Sequence, residues 1–182
     1  MANSKKKGNK GERDLCKWWT LWTGLEFSRV PASGGLRWRS AHATSGDIIC
    51  TERPHDRRFQ FTIESKNYKD INFEHLILGN KKVKILEFWD QTLEDAKRSD
   101  KIPILFMRYN GMSKGMYFTI MSRALFDIIK AKQAITDSGF DFAFFEVLKY
   151  NFVIMNSNDL LPINYMDLHK TLKAHRRNGQ KF

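Results

Sequence analysis

The sequence predicts an α/β fold, and three observations carry that prediction. In RFQFTIESK, residues 58–66, apolar Phe59, Phe61 and Ile63 alternate with polar Gln60, Thr62, Glu64 and Lys66, as in a strand with one buried face. In KILEFWDQTLEDAKRS, residues 84–99, Ile85, Phe88, Trp89, Thr92, Leu93 and Ala96 recur at helical spacing and mark an inner face. The order of elements is helix, strand, strand, strand, helix, strand, that of a compact α/β core with additions after it.

Each element has its own signal. Residues 1–8 read as a basic, disordered tail. Residues 9–23 read as a helix whose core stripe is Leu15, Trp19 and Trp22, stopped by Gly24. LEFSRV, from Leu25, is a first strand, and the small, basic stretch from Pro31 to Gly46 is a loop. DIICT, from Asp47, is a second strand, and ERPHDR is a turn before the third strand, which ends at Lys66. Residues 72–83 read as a short helix and loop ahead of the helix at 84–99. Residues 102–121 read as a hairpin around a tight Asn110-Gly111 turn. Ser122 caps a helix over 122–133, residues 142–155 are strand or hairpin, and a last helix covers 163–177.

Composition narrows the functional classes. The chain has 182 residues, 42% of them hydrophobic and 14 of them Phe, enough for one domain with a real core. No apolar run reaches the roughly 18 residues that would cross a bilayer, and the first residues lack the apolar centre of a signal peptide, which points to the cytoplasm. Cys16 and Cys50 have no partners at metal-ligand spacing and make no disulfide framework. His42, His55, His75, His169 and His175 match no zinc motif. The net charge is +11, which favours a polyanionic partner, and nucleic acid before others.

The chemistry concentrates on the third strand. Glu64 and Lys66 share one face, about 7 Å apart along the backbone. Charges on a central strand are costly unless paired or bound to a metal. Asp47 opens the neighbouring strand; if the two strands are antiparallel, it can meet Glu64, and two converging carboxylates suit Mg²⁺ or Mn²⁺. Glu12 falls on the inward stripe of its helix and is a third candidate acid, although a Glu is also at home in a first helical turn. In SRVPASGG, Arg29 and Ser33 could meet a phosphate where small residues let the backbone come close. Arg37 and Arg39 flank Trp38 and add charge beside a stacking surface, and the basic amino terminus supplies Lys7, Lys10 and Arg13.

Together, KGERDL, SRVPASGG, GDII and IESK resemble the archaeal-type Holliday junction resolvases of the PD-(D/E)XK nuclease superfamily. The likeness covers about residues 7–66. It implies a restriction-endonuclease-like core, a central mixed β-sheet flanked by helices; the C-terminal α+β extension lies outside the match. The expected organisation is one nuclease domain over 9–182, with its core at about 9–121 and the extension at about 122–182. The resemblance implies a metal-dependent DNA endonuclease that acts as a homodimer on four-way or branched DNA, without a membrane. Glu12, Asp47 and Glu64 match its metal-binding acids, Lys66 its catalytic lysine, and Arg29 and Ser33 its active-site loop. Gln91 matches a polar residue that many superfamily members place near the metal. The superfamily's Pro-Asp is Gly46-Asp47 here. Another nuclease of the superfamily, or a DNA-binding protein on the same scaffold without catalysis, would share most of these features.

Overall fold

The computed structural model describes residues 2–30, 45–69, 71–78, 83–133, 141–147 and 149–182. The chain runs α1 (Ala2–Thr23), β1 (Phe27–Arg29), β2 (Ile48–Cys50), β3 (Phe61–Tyr68), α2 (Glu74–Ile77), α3 (Lys84–Ser99) and β4 (Ile102–Tyr109). It continues with β5 (Phe118–Ser122), α4 (Arg123–Gln133), β6 (Phe142–Val147), β7 (Tyr150–Asn156) and α5 (Tyr165–Arg177). Among the described residues, seven strands form one sheet in the order β1-β2-β3-β4-β5-β7-β6. β3 and β4 are parallel, joined by a crossover through α3, and every other pair is antiparallel. The expected class, a mixed sheet flanked by helices, is the one the chain adopts.

Two apolar layers cover the sheet. On one face, Leu15, Trp18, Trp19 and Trp22 of α1 meet Phe59, Phe61, Ile63, Ile104 and Phe106. Trp19 is fully buried and packs on Phe27, Phe59, Phe61 and Phe106 at ring distances of 5.6–5.7 Å. A side chain of this size, wholly removed from water, contributes on the order of 3 kcal/mol. On the other face α3 lays Ile85, Leu86 and Trp89 on Leu105, Met107 and Ile120. The last third of the chain belongs to this core. Leu125, Phe126, Val153, Leu168 and Leu172 join the α1 cluster. Trp22 Nε1 donates to the Ile163 carbonyl at 3.0 Å, and Trp18 Nε1 to Asn158 Oδ1 at 3.1 Å. Cys16 and Cys50 are buried free thiols, as expected.

Two local expectations are corrected. α1 begins at Ala2, inside the segment expected to be disordered. Lysine is a good helix former, no proline interrupts, and each added residue gains one hydrogen bond. The hairpin at β4–β5 does not reverse within two residues, because its last paired residues are Met107 and Phe118. Gly111 takes φ 98°, and the Met112 amide donates to the Tyr109 carbonyl at 3.3 Å, so Asn110-Gly111 makes a local turn inside a longer loop. Ser122 does cap α4: its Oγ accepts from the Leu125 amide at 3.2 Å. Among the described residues no helix is long and apolar enough to cross a membrane.

Candidate active site

The site forms where a polar stripe on β3 meets a polar stripe on α3. Alternation puts Thr62, Glu64 and Lys66 on the α3 side of the strand. The crossover runs α3 back along β3, so Gln91, Asp95 and Ser99, four residues apart, descend against them. Ser99 Oγ meets Thr62 Oγ1 at 3.0 Å, and Gln91 Nε2 donates to Glu64 Oε1 at 2.9 Å.

Asp47 arrives by a tightly constrained path. β2 pairs antiparallel with β3, setting Ile48 opposite Ile63. The Asp47 amide donates to the Ile63 carbonyl at 2.8 Å, and Asp47 Oδ2 accepts from the Ser65 amide at 2.9 Å. Gly46 has φ +83°, and a Cβ there would lie 2.4 Å from the Ile63 carbonyl oxygen. Only glycine fits this approach, and proline, fixed near φ −65°, could not adopt it. The Gly-Asp of this chain is thus a different backbone solution from Pro-Asp. Ser45 anchors the same segment, with Oγ 2.8 Å from both Thr62 Oγ1 and Ser99 Oγ.

β2 and β3 bring the two carboxyls within electrostatic reach of each other. Glu64 is only 2% exposed. Its pKa is pushed up to about 7, by burial first and then by the Asp47 charge, while the hydrogen bond and charge of Lys66 pull it down. Burial also raises the Asp47 carboxyl, against the Ser65 amide and the Lys66 charge. Lys66 Nζ lies 2.6 Å from Glu64 Oε1 and 5.5 Å from the centre of the Phe88 ring. Asp95, ion-paired with Arg98, adds a further negative charge that raises both carboxyls.

A divalent cation fits this pair. Two hard oxygen donors, Glu64 buried and Asp47 half-buried, repel each other, and the single charge of Lys66 leaves one negative charge unbalanced. Mg²⁺ is ordinarily held by one or two carboxylates together with substrate phosphates and water.

Glu12 does not join the pair. Its Oε2 accepts from Arg29 Nε, and Arg29 Nη2 donates to Asn9 Oδ1 at 2.7 Å. Among the described residues no group of three or more His, Cys, Asp or Glu side chains is gathered to hold a metal. Arg29, expected on a phosphate, is instead the link between β1 and α1. The reason is partly packing: Gly11 lets α1 approach β3, where a Cβ would meet Asn67 Nδ2 at 3.2 Å. Lys10 and Arg13 are exposed on α1, and Lys7 lies in the same helix. Ser33, Arg37 and Arg39 lie outside the described residues.

Sequence reasoning passed over Ser45, Thr62, Asp95 and Ser99. The four-residue spacing of Gln91, Asp95 and Ser99 was the available signal, a polar line beside the apolar face of one helix.

Over residues 3–168 the chain matches the family described as "Phage putative PDDEXK endonuclease". It is also 28% identical over 108 residues to Protein D14 of Escherichia phage T5, a stretch of 59% of this chain. The match spans 65% of that protein's length. No solved structure matches the chain. These likenesses support the PD-(D/E)XK superfamily without extending to its archaeal-type junction resolvases.

Proposed function

This chain belongs to the phage PDDEXK endonuclease family, and we propose that it is a divalent-metal-dependent endonuclease selective for branched DNA, the four-way junction foremost, a preference that rests on the motif resemblance over residues 7–66. The observation that supports this reading best is the pairing of Asp47 with the buried Glu64, with Lys66 on Glu64 Oε1.

In this reading Asp47 and Glu64 hold Mg²⁺ or Mn²⁺. When bound, the cation makes water a stronger acid and offsets charge on the phosphate. The chain's own residues do the rest. The Ser65 amide fixes the Asp47 carboxylate, and Gln91 fixes that of Glu64. Lys66 donates to a phosphoryl oxygen and offsets the charge that grows there as water attacks phosphorus and the ester oxygen leaves. Products with 5′-phosphate and 3′-hydroxyl ends follow from the family resemblance. Glu12 acts through Arg29, fixing its guanidinium beside α1. Lys7, Lys10, Arg13, Arg37 and Arg39 are proposed contacts to the DNA backbone.

A junction with two-fold symmetry suits a dimer with two matched sites. The edge strand β6, with Phe144 42% exposed, is the proposed contact.

The test is cleavage of an end-labelled four-way junction beside its linear duplex, with Mg²⁺ or EDTA. Cutting of the junction alone, and only with Mg²⁺, is expected. Equal cutting of the linear duplex would overturn the branched-DNA preference. Failure to cut either DNA with Mg²⁺, or with Mn²⁺ in its place, would overturn the enzyme.

A further inference from the structure

A cavity of about 220 Å³ opens directly beside Lys66, between the end of β3, α2 and the start of α3. Lys66, Tyr68, Asn72, His75 and Phe88 line it, and Met107 is among the apolar residues at its base. We infer that this cavity receives a single unpaired nucleobase next to the scissile phosphate. The inference rests on the nuclease reading and adds a recognition element to it.

Four features point to that occupant. The cavity shares Lys66 with the carboxylate pair, so whatever fills it is covalently near the phosphate handled there. Its volume falls below the roughly 300 Å³ at which pockets for drug-sized ligands begin, which suits one flat ring system rather than a whole nucleotide. Its aromatic wall is the Tyr68–Phe88 pair, packed edge to face at 62° with centroids 5.5 Å apart, and Tyr68 is 42% exposed. Any base can stack on such a ring, because every base has a π-face. Asn72 and His75 each carry a donor and an acceptor, the chemistry that reads a base edge.

A paired base cannot enter, because it is stacked inside the duplex, and reaching the cavity requires that it leave the stack. Enzymes that extrude a base meet the lowest cost where it is already unpaired. The cavity therefore favours DNA with a frayed or bulged nucleotide at the branch. Beside it, α2 ends at Ile77, followed by Leu78, which are 78% and 70% exposed. Exposed apolar side chains of this kind are used as wedges between base steps.

The test is metal-free binding in EDTA to three duplexes: matched, with one bulged 2-aminopurine, and with a bulged abasic site. Wild type should bind the bulged base about tenfold more tightly than the matched duplex, the effect of one base stacked on an aromatic ring. The fluorescence of the 2-aminopurine should be quenched. The abasic bulge, and Tyr68→Ala or Asn72→Ala with the bulged base, should lose most of that preference while matched-duplex binding stays unchanged. Equal affinity for the abasic and base-containing bulges, or a preference that survives Tyr68→Ala, would overturn the inference. Cleavage with Mg²⁺ separates the two readings. Cleavage without a bulge preference removes the base pocket alone, and bulge preference without cleavage of any DNA removes the enzyme alone.

Discussion

Replacing Asp47 by Asn should remove part of a pH dependence that the metal-free protein owes to its coupled carboxyl pair. The Glu64 pKa is raised from 4.5 to about 7, and Asp47 is the second cause after burial. A carboxyl raised in the folded state stabilises the fold below its unfolded pKa, and that contribution is lost as pH rises through the folded one. The window therefore runs from pH 4.5 to about 7. At roughly 1.4 kcal/mol per pH unit the shift corresponds to about 3 kcal/mol, belonging to the coupled pair rather than to one residue. For a chain of this length that is a melting change of about 6–12 °C. The assay is thermal unfolding in EDTA from pH 5 to 8 for wild type and Asp47→Asn. Wild type should lose more stability than the variant as pH rises, and Mg²⁺ at pH 8 should restore wild type alone. His169, lowered by burial and then by Lys173, His55 and Arg58, slopes the opposite way, but both proteins carry it and the difference cancels it. Parallel curves for the two proteins, or no stabilisation of wild type by Mg²⁺, would refute the account of the site.

The backbone at Gly46 gives a second prediction. Gly46→Ala should cost at least about 2 kcal/mol and abolish cleavage, since a Cβ meets the Ile63 carbonyl in a left-handed conformation; a melting temperature equal to wild type would contradict it. Thr62→Val leaves the Ser45 and Ser99 hydroxyls short of a buried partner and should lower stability by about 1–3 kcal/mol, read by urea unfolding. Lys66→Ala should reduce cleavage by about 10²–10³-fold with metal-free DNA binding retained, and an unchanged rate would remove Lys66 from the chemistry. Glu12→Gln weakens a mostly buried ion pair and should cost on the order of 1 kcal/mol, with Mg²⁺ affinity unchanged in calorimetric titration. A weaker Mg²⁺ affinity would place Glu12 at the metal after all.

Legibility in the sequence followed the range of the interaction. Alternation in β3 announced both its buried face and its functional one, because a strand repeats every two residues whatever surrounds it. The inner face of α3 was equally readable from its spacing. Gln91 is indicated only by the resemblance, and its amide lies 2.9 Å from Glu64 Oε1. The spacing could not distinguish it from any exposed helix residue, since the register of α3 against β3 is set by the crossover. The sequence marks Glu12 as inward and Arg29 as a phosphate contact, but not the two as partners of each other. Their pairing depends on how closely α1 settles on the sheet, which Gly11 permits.

By itself, the order of residues determined the elements, the apolar faces and the candidate acids, because short-range periodicity and side-chain chemistry are written locally. Tertiary structure alone decided that Asp47 and Glu64 meet, that Glu12 turns to Arg29, and that a cavity opens beside Lys66. Those outcomes depend on contacts between segments far apart in the chain. A strand register or a helix seated one residue differently would leave the local pattern intact while separating the same side chains.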